Sequence, residues 1–154
     1  MQLVAGHDPQ YLPIVRTLFR EYADTIEVDL CFQDFERELA ELPGKYAPPT
    51  GRLIVAFDGS IPAGCIAVRA LDDEICEMKR LYVRPQFRRL GLGRRLANEI
   101  LTAARAEKYE CMRLDTLASM HDAIALYESL KFQRIPAYYR NPEGGAVYME
   151  LKLR

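Results

Sequence analysis

Val83-Arg84-Pro85-Gln86-Phe87-Arg88-Arg89-Leu90-Gly91-Leu92-Gly93-Arg94 decides how this chain folds. The residues before it, Ile75–Val83, read as a strand, and Pro85 ends it because proline brings no N–H to a sheet. Gly91-Leu92-Gly93 then opens a helix that carries Leu92, Leu96, Ile100 and Ala104 on one face. The first N–H groups of a helix have no partner within it and lie at its positive dipole end. Glycine keeps a Cβ out of the way of an approaching anion. A strand feeding a helix through two glycines is therefore expected to cradle a diphosphate, mainly on backbone N–H groups. Arg88, Arg89, Arg94 and Arg95 add attraction and bidentate donors.

Upstream, Gln2–Ala5 reads as a short strand. Asp8 and Pro9 give an N-cap and a first helical residue, and Ile14, Leu18 and Tyr22 carry that helix to about Thr25. Phe35, Leu39 and Leu42 share one face of a second helix, Phe32–Leu42, which Pro43-Gly44 stops. Leu53–Phe57 is a compact apolar strand, Asp58-Gly59 a hairpin signal, and Ile61–Ala70 the returning strand. Downstream lie a strand over Cys111–Thr116 and a helix over His121–Leu130, with Ala123, Leu126, Tyr127 and Leu130 facing inward. Val147–Leu153 alternates as a final strand. This order predicts an α+β fold with one strand–helix–strand crossover of the parallel type, in a single domain spanning 1–154.

Two other phosphate folds fail on their spacing. A P-loop requires G-x-x-x-x-G-K-[ST], a string this chain lacks. A dinucleotide fold requires a third glycine where Leu96 stands, although Asp115 lies near the distance of a ribose-binding acid. Such a fold would also place its glycines after the first strand of a parallel sheet, and here they follow a meander. A bare glycine pair also suits a tight turn with solvated arginines.

Composition narrows the class. Apolar residues make up 49% and charged residues 28%, ordinary for a globular protein. No apolar run approaches the roughly 18 residues a bilayer needs, and the N-terminus lacks a signal pattern, so a cytoplasmic location and no membrane partner are expected. Cys31, Cys65, Cys76 and Cys111 form no C-x-x-C pair and read as buried, reduced thiols. His7 and His121 supply few metal ligands, so no metal is expected. Residues 1–77 carry a formal charge of −8 and residues 78–154 one of +7, with seven basic and no acidic residues between Lys79 and Arg95.

Arg88-x-x-Gly91-x-Gly93 resembles the R/Q-x-x-G-x-G/A signature of the GNAT superfamily of N-acetyltransferases. Met78-Lys79-Arg80-Leu81-Tyr82-Val83 looks like that family's fourth strand, and Ala123–Phe132 resembles its A-I-x-L-Y-x-x-x-G-F segment. The resemblance covers residues 52–135. It implies a mixed, mostly antiparallel sheet flanked by helices on both faces, with acetyl-CoA as co-substrate. It implies that the pantetheine arm lies along Leu81, Tyr82 and Val83, hydrogen-bonded by backbone groups of Leu81 and Val83. It implies that Arg88, Arg89, Leu90, Gly91, Leu92, Gly93 and Arg94 hold the diphosphate, and that Tyr127 protonates the leaving thiolate. Three residues depart from the pattern. Arg89 stands where many members have glycine, Met120 where many have an asparagine that contacts the arm, and Lys131 replaces the glycine before Phe132. The last change predicts a less tightly turned helix end.

The expected reaction is direct transfer of the acetyl group to a primary amine, on a small molecule or a peptide, with a strand-four N–H stabilising the oxyanion. Glu77, in an otherwise buried strand, reads equally as the proton acceptor, directly or through water, and as a structural residue, either an ion-pair partner of Lys79 or Arg80 or part of an exposed strand face. Cys65 and Cys76 have no neighbouring histidine and read as inert. Tyr138, Tyr139, Arg140 and Asn141-Pro142 form a polar, aromatic loop that reads first as a surface turn, with the border of an acceptor pocket as its alternative. Glu21, Asp24, Glu27 and Asp29 would favour a cationic amine if they rim that pocket, although a solvated helix face explains them as well. Two rival functions remain: a non-catalytic acyl-CoA sensor, and a nucleic-acid binder using the basic run 79–95, which the acidic first half opposes. The sequence leaves a homodimer open.

Overall fold

The computed structural model describes residues 1–26, 34–139 and 144–154. Its elements are β1 (Gln2–Ala5), α1 (Leu12–Thr25), α2 (Phe35–Glu41), β2 (Arg52–Asp58), β3 (Ile61–Ala70), β4 (Ile75–Val83), α3 (Leu92–Ala106), β5 (Cys111–Leu117), α4 (His121–Ser129), β6 (Gln133–Ile135) and β7 (Ala146–Lys152). One sheet of seven strands runs in the order β1-β2-β3-β4-β5-β7-β6. Every neighbouring pair is antiparallel except β4 and β5, which are parallel and joined by the crossover through α3. This is the mostly antiparallel mixed sheet the resemblance implies.

Helices cover both faces. Leu53, Val55 and Cys65 pack with Val15, Leu18, Phe19 and Leu39 under α1 and α2. Ile54, Ile66, Val68 and Met78 pack with Leu96, Ile100 and Tyr127 of α3 and α4. Alternate residues of β2 thus enter opposite cores, which is why its sequence reads as an unbroken apolar run. Each fully buried Leu or Ile contributes about 1.5–3 kcal/mol.

Several boundaries differ from expectation. Asp8 caps only a single 3-10 turn, Pro9–Tyr11, where its Oδ1 accepts the Gln10 N–H at 3.2 Å. The α-helix proper starts at Leu12. The second helix is described from Phe35; positions 32 and 33 lie outside the described residues. In α4 the buried side chains are Ile124 and Tyr127, while Ala123 and Leu126 are only half-buried. Lys131 has φ 78°, the conformation a glycine would take, and its N–H reaches the Glu128 carbonyl at 3.0 Å. The Phe132 N–H reaches Tyr127 C=O, also at 3.0 Å. These two bonds form a Schellman motif, so the helix end is tightly turned despite the lysine.

Two irregularities of β4 create the site. Cys65 pairs with Tyr82 and Ala67 with Lys79, so Arg80 and Leu81 together oppose one residue of β3. Arg80 takes φ 60° in this bulge, which sends both Lys79 and Arg80 toward the α1–α2 face. Second, β4 and β5 pair only from Ile75↔Cys111 to Glu77↔Arg113. Beyond that point the strands separate, and a wedge opens between them.

Candidate active site

A groove of about 790 Å³ starts at the β4–α3 turn, a volume within the usual range for a small-molecule site. Leu81, Tyr82 and Val83 line it from β4, with Arg88, Arg89, Gly91, Leu92, Gly93 and Arg94 from the turn. The α4 end contributes Ser119 through Ala123 together with Leu126, and α1 contributes Tyr22 and Thr25. Leu90, 68% exposed, is the one residue of the expected cradle outside this lining.

The turn is built by backbone conformation and by arginine. Gly91 caps α3 with φ 79°, and Arg89 also has a positive φ of 65°. A Cβ at Gly91 would meet no atom within 4 Å, so the position requires glycine for its backbone rather than for space against the protein. The first bond of the helix runs from Arg95 N–H to Gly91 C=O at 3.1 Å. The amides of Leu92, Gly93 and Arg94 precede it and have no carbonyl within the helix. Arg88 Nε donates to the Val83 carbonyl at 2.9 Å, and Arg94 Nη2 to Ser129 Oγ at 2.8 Å, tying α3 to α4. Free amides, a helix dipole and cationic side chains around an elongated groove suit an anionic, extended ligand such as acetyl-CoA.

Two other arginines of the basic run, Arg80 and Arg84, turn inward. Arg80 forks onto Glu38, Nε to Oε2 at 3.0 Å and Nη2 to Oε1 at 3.1 Å, with both side chains buried. Arg84 pairs with Glu21 at 2.7 Å, and Tyr82 donates its hydroxyl to the same carboxylate. Glu21 is thereby neutralised. Asp24 is exposed, and Glu27 and Asp29 lie outside the described residues.

Glu77 is 2% exposed and fully engaged. Its Oε1 accepts Arg69 Nε at 3.1 Å and lies 3.8 Å from Lys79 Nζ, and its Oε2 accepts the Tyr138 hydroxyl at 2.6 Å. Burial alone would raise its pKa; Lys79, the Tyr138 hydroxyl and Arg69 outweigh that and hold it below the usual carboxylate range. This burial rules out an exposed strand face, and the ion pair is present, with Arg69 and Lys79 as the cations. Arg80 is committed elsewhere.

Tyr127 projects from α4 into the core and packs against Phe132, ring centroids 5.9 Å apart. Its hydroxyl has no hydrogen-bond partner among the described residues. Burial, then Tyr22 and the Asp115 carboxylate, push its pKa up, so it holds its proton at neutral pH. Tyr138 and Tyr139 of that loop are half-buried rather than solvated, and positions 140–142 lie outside the described residues. Tyr138, Tyr139 and Tyr148 meet edge to face with centroids 5.3–5.5 Å apart, and Tyr139 donates to Asp115 Oδ2 at 2.5 Å. Sequence reading assigned no partner to this turn, because the contacts span 24 and 61 residues.

Cys65 and Cys76 are buried and Cys111 half-buried, while Cys31 lies outside the described residues. Burial drives the Cys65 thiol far above its ordinary value and Cys76 up to about 12, so neither is a nucleophile at neutral pH. His121 begins α4 at the groove's edge, and Met120 lines the groove beside it. Among the described residues no cluster of His, Cys, Asp or Glu is disposed to hold a metal, and no helix is long and apolar enough to cross a membrane.

Residues 13–132 match the model of the acetyltransferase (GNAT) family, which extends the resemblance toward the N-terminus. An uncharacterized N-acetyltransferase of Schizosaccharomyces pombe is 42% identical over 147 residues, 94% of this chain and 90% of that protein. Another, from Dictyostelium discoideum, is 29% identical over 91% of this chain and 94% of its own length. The fold matches a crystal structure of an acetyltransferase from Streptococcus agalactiae with a TM-score of 0.81, at 20% identity over 98% of this chain and 97% of that one. With the family model spanning most of its length, this chain belongs to the acetyltransferase (GNAT) family and is an acetyl-CoA-dependent N-acetyltransferase.

Proposed function

We propose that the chain transfers the acetyl group directly from acetyl-CoA to a primary amine, with no acyl-enzyme intermediate. The observation that carries this reading is the continuity of the groove. It runs from the unpaired amides at the N-terminus of α3, along Leu81–Val83 of the β4 segment that no longer pairs with β5, to Ser119–Ala123 at the start of α4. In this proposal the turn Arg88–Arg94 holds the diphosphate, backbone groups of Leu81 and Val83 hold the arm, and a β4 N–H stabilises the oxyanion. Tyr127 gives its proton to the departing thiolate. Glu77, held by three partners, positions Tyr138 and Lys79 behind the wedge. The two fully buried thiols support direct transfer, since no described cysteine has the depressed pKa of an acyl acceptor.

The inward pairing of Arg80 and Arg84 supports a small or peptide amine over nucleic acid as the acceptor, because it removes two cations from any basic face. Buried, unpaired thiols accord with a reducing cytoplasm as its location. Thiol release from acetyl-CoA, screened against amines, amino acids and peptide N-termini, tests the reading. Amine-dependent CoA release is expected. Tight acetyl-CoA binding without such release would instead establish a sensor.

A further inference from the structure

We propose that Asp115 is the base of this enzyme: it receives the acceptor amine's ammonium in the β4–β5 wedge and takes its proton. The inference rests on the transferase reading above and deepens it.

The placement follows from strand register. The parallel pairing of β4 and β5 ends at Glu77↔Arg113, and Asp115 lies two residues further along β5, roughly 7 Å into the wedge. Alternation puts it on the same face as Arg113, the face toward which the β4 bulge turns Lys79 and Arg80. On its other edge β5 stays fixed to β7, where Asp115 pairs with Tyr148. Asp115 therefore sits on a rigid element at the point where the sheet opens.

Its carboxylate is both held and available. Oδ2 accepts the Tyr139 hydroxyl at 2.5 Å, and the carboxylate accepts no other hydrogen bond among the described residues. Tyr139 is itself fixed, since its carbonyl accepts the Tyr148 hydroxyl at 3.1 Å and its ring lies in the three-tyrosine cluster. A base oriented by a third group, with one oxygen left open, is the arrangement general-base catalysis uses. Asp115 is half-buried with one carboxylate oxygen uncommitted, whereas Glu77 is 2% exposed with both oxygens taken. The Asp115 charge acts on Tyr22, which lines the groove, on Tyr127 of α4, on Lys79 of β4 and on the three clustered tyrosines, so it lies close to all of them. Glu77 is not among the charges that act on Tyr127.

The protons balance. The acceptor ammonium loses one proton to Asp115. The freed amine nitrogen bonds the thioester carbon, and the carbon–sulfur bond breaks as the oxyanion collapses. The CoA thiolate takes the Tyr127 proton, and Tyr127 is restored by the second proton leaving the nitrogen. Asp115 releases its proton to solvent, so the products are the amide, the thiol and one proton.

The test is the pH dependence of kcat/KM for wild type, Asp115→Asn, Tyr139→Phe and Glu77→Gln with a turned-over primary amine, acetyl-CoA affinity being measured in parallel. An alkyl amine has a pKa near ~10 and supplies about tenfold more free base for each pH unit gained. Asp115→Asn is expected to lose about 100-fold at pH 7, with the loss shrinking toward pH 9.5 while acetyl-CoA affinity holds. Glu77→Gln is expected to lose activity equally at both pH values. Tyr139→Phe removes one hydroxyl and covers the case in which Asp115→Asn does not fold; it is expected to show a smaller loss of the same shape. Wild-type rates at pH 7 in either variant, or a loss independent of pH, would overturn the assignment and leave the transferase reading standing. A wild-type enzyme that releases no CoA with any amine would overturn both.

Discussion

Arg88 folds back on its own turn, its Nε 2.9 Å from the Val83 carbonyl, so a side chain expected to reach only for phosphate also closes the loop between β4 and α3. Arg88→Ala should therefore weaken acetyl-CoA binding through both charge and loop geometry. About tenfold is expected by calorimetry, with Arg88→Lys recovering the charge but not the closure.

Gly91 has φ 79° and open space around it. Any L-residue there is strained by about 1–2 kcal/mol regardless of its size. Gly91→Ala and Gly91→Val should both lower acetyl-CoA affinity, and far more than Arg89→Ala does, because the backbone of the turn is displaced. Equal affinities for Gly91→Val and wild type in calorimetry would refute the cradle.

Lys131 holds a left-handed conformation that glycine adopts without strain. Lys131→Gly should stabilise the fold by up to about 1 kcal/mol, the relieved strain exceeding the added freedom of the unfolded chain. Urea unfolding reads this as a higher midpoint at constant slope.

Glu38 is buried with Arg80, and its pKa is lowered from the usual 4.5: burial opposes the shift, and Arg80 and Lys45 outweigh it. Glu77 is lowered in the same way. A depressed folded-state pKa contributes stability that is fully present above the unfolded value and lost as pH falls through the folded one. The urea midpoint should thus fall as pH drops below about 4.5. Glu38→Gln should cost about 3 kcal/mol near neutrality, because it removes the charge of the buried carboxylate onto which Arg80 forks, and should flatten that acid slope.

The local features of this fold were legible because they are written in contiguous residues. Pro85, the Gly91–Gly93 pair and the four-residue spacing of α3 sit within one short stretch, and the alternation in β7 is equally local. The polar layer behind the wedge was not legible. Arg80 reaches Glu38 across 42 positions and Tyr138 reaches Glu77 across 61, and such pairs exist only once the sheet order is known. In the sequence Asp115 stands out only by its distance from the glycines, which suits a ribose-binding acid. Its place in the wedge depends on where β4 stops pairing with β5, which no residue of β5 announces.

Tyr127→Phe should lower turnover by about tenfold or more while leaving acetyl-CoA affinity intact, because the ring still packs on Phe132 and only the unpartnered hydroxyl is lost. Unchanged single-turnover rates would remove Tyr127 from the reaction.

Direct transfer is the central claim, and initial-rate kinetics with both substrates varied test it most directly. A ternary complex predicts reciprocal plots that intersect, with CoA released only when the amine is present. Parallel lines, with CoA released from acetyl-CoA alone in a stoichiometric burst, would contradict it and reveal an acyl-enzyme.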